Sequence, residues 1–362
     1  MRLGSDALKL PGATTLTAPE QLQQAAEHGL GGLFFRTMLH LSPTLDPGLL
    51  REVRSTADRL GLYLESGLGK VNPYGLPESP ELRALGDGDT VAGFRRMMEA
   101  AAAIGITELW VATAGIKPYS GRLCYDRYRT DVTWTDQLAA TAKFCTILAP
   151  IARDLGLHLN AETHEEITSF ELVRLVEEVG PDVMGITYDT ANPLQRAEHP
   201  ARTAQRVAPY VRQTHLKDAA LVHDPHGMRD QMRPNGQGVV DLHWILPALY
   251  AANPGLNLSL EIAEVGISSA PQLATRAKDA RTGIALYDPI WLDGHPDLTV
   301  TELVEYLGLA RAFENRIAAG EVPSLAEVSA RGFTAEDAWK WVDDSFAYIR
   351  EVLRDSGIPC DD

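Results

Sequence analysis

Eight short apolar runs, alternating with longer amphipathic stretches, constrain this chain more than any other feature. The runs fall at residues 2–5, 32–36, 62–66, 108–112, 157–162, 183–189, 211–216 and 256–261. Between them lie helical patterns at 18–29, 46–60, 87–104, 134–154, 168–179, 200–209 and 243–252. Parallel strands need crossover connections, which are usually helices, so the alternation predicts an α/β fold: a closed (β/α)8 barrel. A doubly wound open sheet is the alternative for the same alternation. Local chemistry supports the helices. Thr168 and Glu171 form an S/T-x-x-E capping box, Leu172, Val173, Leu175, Val176 and Val179 recur at helical spacing, and Gly180-Pro181 ends the run.

The last hundred residues break this rhythm. Residues 268–298 are turn-rich, and two helices are expected at 300–319 and 335–356. In the second, Trp339, Val342, Phe346, Ile349 and Leu353 make an apolar stripe, read as packing against the barrel or a second subunit. The expected organisation is a barrel over 1–267 and a loop-and-helix C-terminal extension over 268–362, with a homo-oligomer left open. No stretch approaches the roughly 18 consecutive apolar residues that span a bilayer. Three cysteines without CxxC spacing argue against a zinc ribbon or a disulfide framework and for a reducing, cytoplasmic setting. The net charge of −16 works against a nucleic-acid partner, because phosphate neutralisation needs a basic face.

Four successive strands end in a potential metal ligand: Glu162 in LHLNAETHEE, Asp189 in GITYDTAN, His215 in RQTHLKD and Glu261 in LSLEIAE. Active sites of parallel barrels are built at the C-terminal strand ends. A carboxylate facing the barrel axis is costly unless it is paired or bound to a cation. Three carboxylates and an imidazole that converge therefore call for one divalent cation. Their mainly oxygen character suits Mn2+ or Mg2+, with Co2+ or Zn2+ tolerated. Taken singly, each has an ordinary structural explanation, such as a helix cap or a satisfied core histidine; the joint pattern carries the argument.

The segments ETHEEITSFELVRLVEEVGPDVMGITYDTAN, THLKD, NGQGVVDLHWILPAL and LSLEIAE resemble the xylose-isomerase-like TIM barrel superfamily. The likeness is greatest to its sugar-phosphate isomerase/epimerase group, which includes inosose dehydratases and ketose 3-epimerases. It is clear over about 155–265, weaker over 1–150 and not visible in the tail. The resemblance implies that Glu162, Asp189, His215 and Glu261 hold the metal. It also draws in His164, to contact substrate, move a proton or hydrogen-bond a ligand. Lys217 follows as a group that neutralises an enolate oxygen or pairs with a carboxylate.

Apurinic endonucleases of this superfamily carry further histidines for a three-zinc cluster, but the corresponding positions here are Asn192 and Met232, which leaves one metal. Residues 218–240 read as a long loop, a lid or binding segment, before the turn Gly236-Gln237-Gly238. Within it Arg233 is a candidate to grip a hydroxyl, carboxylate or phosphate, and His223 and His226 are the alternative for a second metal. Glu65 and Lys70 are rim candidates for substrate contact. The reaction implied is metal-dependent isomerisation or epimerisation of a sugar or keto-sugar through an enediolate, with Glu162 and Glu261 as acid and base. A lyase acting on a cyclitol or 3-keto-glycoside shares the first step, with His164 as the acid. A non-catalytic barrel is the third reading.

Overall fold

A computed structural model describes residues 1–75, 79–113, 125–262, 283–331 and 333–361. Seven barrel strands run in chain order as β1 (Leu3–Asp6), β2 (Gly32–Phe34), β3 (Tyr63–Lys70), β4 (Glu108–Ala112), β5 (His158–Glu162), β6 (Met184–Asp189) and β7 (Val211–Leu216). Strands β8 (Asp218–Asp224) and β9 (Gly227–Arg233) lie outside the barrel, and β10 (Leu258–Leu260) is its eighth member. The closed order is β1-β10-β7-β6-β5-β4-β3-β2, with every neighbouring pair parallel. Each expected strand is present, within one or two residues at most ends, and the open sheet is excluded.

The expected helices are present as well. Thr168 and Glu171 make their reciprocal cap at the start of the helix Ser169–Val179. Four short helices, Met38–Leu41, Pro80–Leu85, Pro289–Asp293 and Leu325–Ala330, went unanticipated because they are too short to show a period.

The largest correction concerns 218–240. The expected loop is an antiparallel hairpin, β8 paired with β9 from Asp218↔Arg233 to Asp224↔Gly227, with β11 (Gly283–Ile284) on its edge. Gly227 turns the hairpin at φ 149, where a side chain would meet the Ile284 carbonyl oxygen at 2.2 Å. The Asp218 carboxylate accepts the amides of Gly236, Gly238 and Val240 at 2.8–3.0 Å, pinning the turn after the hairpin. A Cβ on Gly238 would sit 2.1 Å from that carboxylate, which explains the glycine.

Most of the core lies between strands and helices, whereas Phe34, Trp110 and Ala112 form a separate apolar cluster. Nearer the N-terminal strand ends the side chains are polar and hydrogen-bonded to one another, although Asn160 Oδ1 and Glu65 Oε2 are left without a partner. Asn160 donates to Glu108 (2.9 Å) and Gln213 (3.3 Å), Thr187 donates to Gln213 (3.1 Å), and Asn257 donates to Glu65 (2.7 Å). The C-terminal helices close over one flank. Val342, Phe346, Ile349 and Leu353 are buried, and Trp339 stacks on His28 with ring centroids 3.6 Å apart. Tyr306, on the helix Val300–Ala318, donates to the Leu194 carbonyl at 3.0 Å.

Candidate metal centre

Strand β5 ends on Glu162, β6 on Asp189, and His215 is the penultimate residue of β7; Glu261 follows β10. These are adjacent staves of the barrel, so their ends converge on one point. All four side chains are buried, and one ligand atom from each lies within 4.8 Å of the others. Opposite ligands of a small divalent ion stand about 4.2 Å apart at bond lengths near 2.1 Å, so the spacing fits a metal with little adjustment. The Nδ1 of His215 points at Glu162 Oε1 (2.9 Å) and Glu261 Oε2 (3.5 Å), which calls for one positive charge, proton or metal, between them. The buried set can hold a divalent cation.

Surrounding groups hold the three carboxylates. Trp110 Nε1 donates to Glu162 Oε2 (3.0 Å), and the amides of Ala191 and Asn192 donate to Asp189 Oδ1 (3.0 and 2.9 Å). Lys217 Nζ lies 2.8 Å from Asp189 Oδ2, 3.2 Å from Glu261 Oε1 and 3.2 Å from Asn192 Oδ1. Arg36 bridges Glu261 (2.8 Å) and Asp6 (2.9 Å), and Lys9 Nζ stands 3.4 Å from Glu261.

These charges divide the carboxylates. Burial raises all three, but for Glu162 the His215 imidazole prevails and holds it at about 2. For Glu261 burial is outweighed by Lys217, Arg36 and Lys9, which keep it well below the usual carboxylate range. Asp189 stays up at about 6 because burial there exceeds the pull of Lys217. Burial brings Lys9 down to about 8 against the raising influence of Glu261.

His164 stands beside this centre, with Nε2 4.0 Å from Glu162 Oε2. Its Nδ1 is held by Glu166, a fully buried carboxylate whose other oxygen accepts from Thr113 at 2.8 Å. Burial opposes the imidazolium, yet Glu166 raises it to about 9.

A model of the xylose isomerase-like TIM barrel family matches residues 22–290. The chain belongs to that family. The uncharacterized protein YihM of Escherichia coli K12 is 29% identical over 204 residues, a match spanning 55% of this chain and 62% of that protein, under two thirds of its length. D-psicose 3-epimerase from Clostridium cellulolyticum H10, solved with D-tagatose, superposes with a TM-score of 0.58 at 15% identity, covering 86% of this chain and 99% of that one. A xylose isomerase-like TIM barrel protein from Mycobacterium smegmatis in complex with magnesium gives 0.54 at 16% identity, over 83% and 97% of the two chains. At such identities the superpositions speak for the fold.

Within this xylose isomerase-like barrel, His164 and Lys217 stand against the four clustered side chains, whereas no hydrogen bond or ion pair among the described residues joins Arg233 or Glu65 to them. Arg233 is buried, with its Nη2 donating to the Pro323 carbonyl at 3.1 Å. It pairs with Asp218 at the base of the hairpin. Glu65 faces the opposite end: with Arg2, Gly61, Thr107 and Asn257 it lines a cavity of about 490 Å3 beside the N-terminal strand ends. It sits near the start of β3, so the rim placement fails by strand register. Lys70, the last residue of β3, is half-buried. His223 pairs with Glu314 at 3.1 Å and His226 is exposed, and among the described residues no second metal cluster forms. Lys9, Arg36, Trp110 and Glu166 escaped the sequence reading. Arg36 ends the apolar run 32–36, so the strand-end argument used for the ligands would have found it; the other three carry no such signal.

Proposed function

We propose that the chain is a divalent-metal-dependent isomerase or epimerase acting on a small sugar or keto-sugar, with Mn2+ or Mg2+ as the cation. The carrying observation is the convergence of Glu162, Asp189, His215 and Glu261, with Lys217 reaching across to two of them. The bound cation would polarise a carbonyl and its neighbouring hydroxyl, acidifying the C–H between them. Glu162 and Glu261 stand on β5 and after β10, with β6 and β7 between them, so a substrate in the mouth meets a carboxylate on each face. One takes the proton from carbon and the other returns it, which inverts the centre or moves the carbonyl. Glu261, ringed by three cations, is the weaker base, and Glu162 is assigned the first abstraction. Lys217 Nζ faces the charge that collects on oxygen.

The His164–Glu166 pair favours a second reading. A histidine oriented by a fully buried carboxylate can protonate a departing hydroxyl or alkoxide, which makes a lyase of a cyclitol or 3-keto-glycoside from the same first step.

The test is a library of aldoses, ketoses, cyclitols and 3-keto-glycosides, offered to chelated protein and to protein reloaded with Mn2+ or Mg2+. Metal-dependent conversion at constant mass supports the isomerase, and loss of water or of an alcohol supports the lyase. No conversion in any arm, together with unaltered metal binding in Glu162→Gln, would overturn both.

A further inference from the structure

Arg196 is among the largest fully buried side chains, 2% exposed, yet among the described residues no carboxylate pairs with its guanidinium. Its Nη1 donates to Tyr128 Oη (3.1 Å) and to His295 Nε2 (3.2 Å). Its charge lies 5.3 Å from the Tyr125 ring centre and 5.7 Å from that of Tyr128. None of these partners brings a negative charge. His295 uses Nδ1–H toward the Trp291 carbonyl (2.5 Å), so its Nε2 acts as a neutral acceptor. Glu166, the acid that bears on Arg196 from a distance, is committed to Thr113 and His164. A buried guanidinium left without a counter-anion is costly, and such charges persist where an anion visits.

Arg196 Nε, Asn192 Nδ2 and Trp291 Nε1 are all buried donors without an acceptor. The 3-10 turn Asn192–Arg196 runs from the metal centre to this guanidinium: Asn192 accepts from Lys217 at 3.2 Å, while Arg196 ends the same turn. At about 2.0 Å rise per residue, its ends are ~8 Å apart, a span comparable to one hexose.

We propose that Arg196, with Asn192 and Trp291, anchors an oxyanion carried by the substrate, so that the proposed reaction acts on a sugar bearing a phosphate, a carboxylate or a like group at the end remote from the reacting carbon. This deepens the reading of the metal centre and rests on it for the reacting end alone. Arginine suits the role because its planar fork meets two oxyanion oxygens at once.

The Mn2+-loaded protein is titrated calorimetrically with inorganic phosphate and sulfate, then with a neutral hexose, its uronate and its 6-phosphate. Wild type is expected to bind the anionic sugars more tightly than the neutral one. In Arg196→Gln the loss should be about tenfold or more, the worth of a charge-assisted bond, with Mn2+ affinity retained. Arg196→Lys, which keeps the charge without the fork, covers the case in which the glutamine variant misfolds, and should also weaken anion binding. Anionic and neutral sugars that bind wild type alike, or anions that bind wild type and folded variants equally, would overturn the anchor. A variant that loses only thermal stability would reduce Arg196 to a clamp on the 291–295 segment. Failure of wild type to bind Mn2+ would count against the metal reading, not against the anchor, since the anion arms read Arg196 separately.

Discussion

Trp110 holds Glu162 through a single indole N–H bond, and groups of this kind orient metal ligands. Trp110→Phe keeps the ring and removes the donor. Mn2+ affinity by calorimetry should then fall about tenfold or more. Lys217 poses a sharper test, because it neutralises Asp189 and Glu261 whether or not a metal is bound. Lys217→Met should destabilise the chelated protein by about 3 kcal/mol, and the metal-loaded protein by less, since the cation takes over part of the neutralisation. Equal losses in both forms, read from urea midpoints, would count against that division of charge. Cys145 marks a different residue-scale effect: burial pushes its thiol up to about 12. In the unfolded chain it ionises near 8.5. The folded state therefore keeps a proton that the unfolded state sheds, and stability is lost as pH rises above about 9. Cys145→Ala should flatten that part of the pH–stability profile.

At the scale of elements, caps and periods decided what could be read. The Thr168–Glu171 box starts a helix whose partners are local in sequence, and Thr168→Ala should cost about 1 kcal/mol by denaturant titration. In the terminal helix the stripe at 339–353 was legible as packing, while its choice of the barrel flank over a second subunit was not, because a stripe does not name its partner. Ile349 is now fully buried there, and Ile349→Ala should cost about 3 kcal/mol by the same measure. The β8–β9 hairpin was illegible for a physical reason. Arg229, Asp230, Gln231 and Met232 are only partly buried, so β9 has no apolar alternation, and its pairing comes from backbone bonds to β8 and β11. Within it Arg233 pairs with Asp218 at the hairpin base, a register that the loop reading could not supply.

For the molecule as a whole, binding and folding should be linked through the metal. The ligands come from residues 162 to 261, and unfolding separates them. At a free Mn2+ concentration about a hundred times Kd, stability should rise by roughly 2.7 kcal/mol, and a chelator should remove it. A thermal midpoint indifferent to chelation would contradict this linkage. Protons compete for the same oxygens and imidazole, so metal affinity should weaken from pH 8 to pH 5. The described helices include none long and apolar enough to cross a membrane.

The sequence by itself determined the eight-fold alternation and, through it, the convergence of Glu162, Asp189, His215 and Glu261. Strand ends in a closed parallel barrel must face one mouth, so a residue's place along its own strand suffices to put it there. What only the tertiary structure decided was everything reached across strands or from afar. Arg36 and Lys9 meet Glu261 around the barrel seam, Trp110 reaches over to Glu162, Glu65 points to the floor, and Arg196 meets a tail residue 99 positions away. Those contacts depend on barrel closure and on where the tail docks, and no local pattern encodes either one.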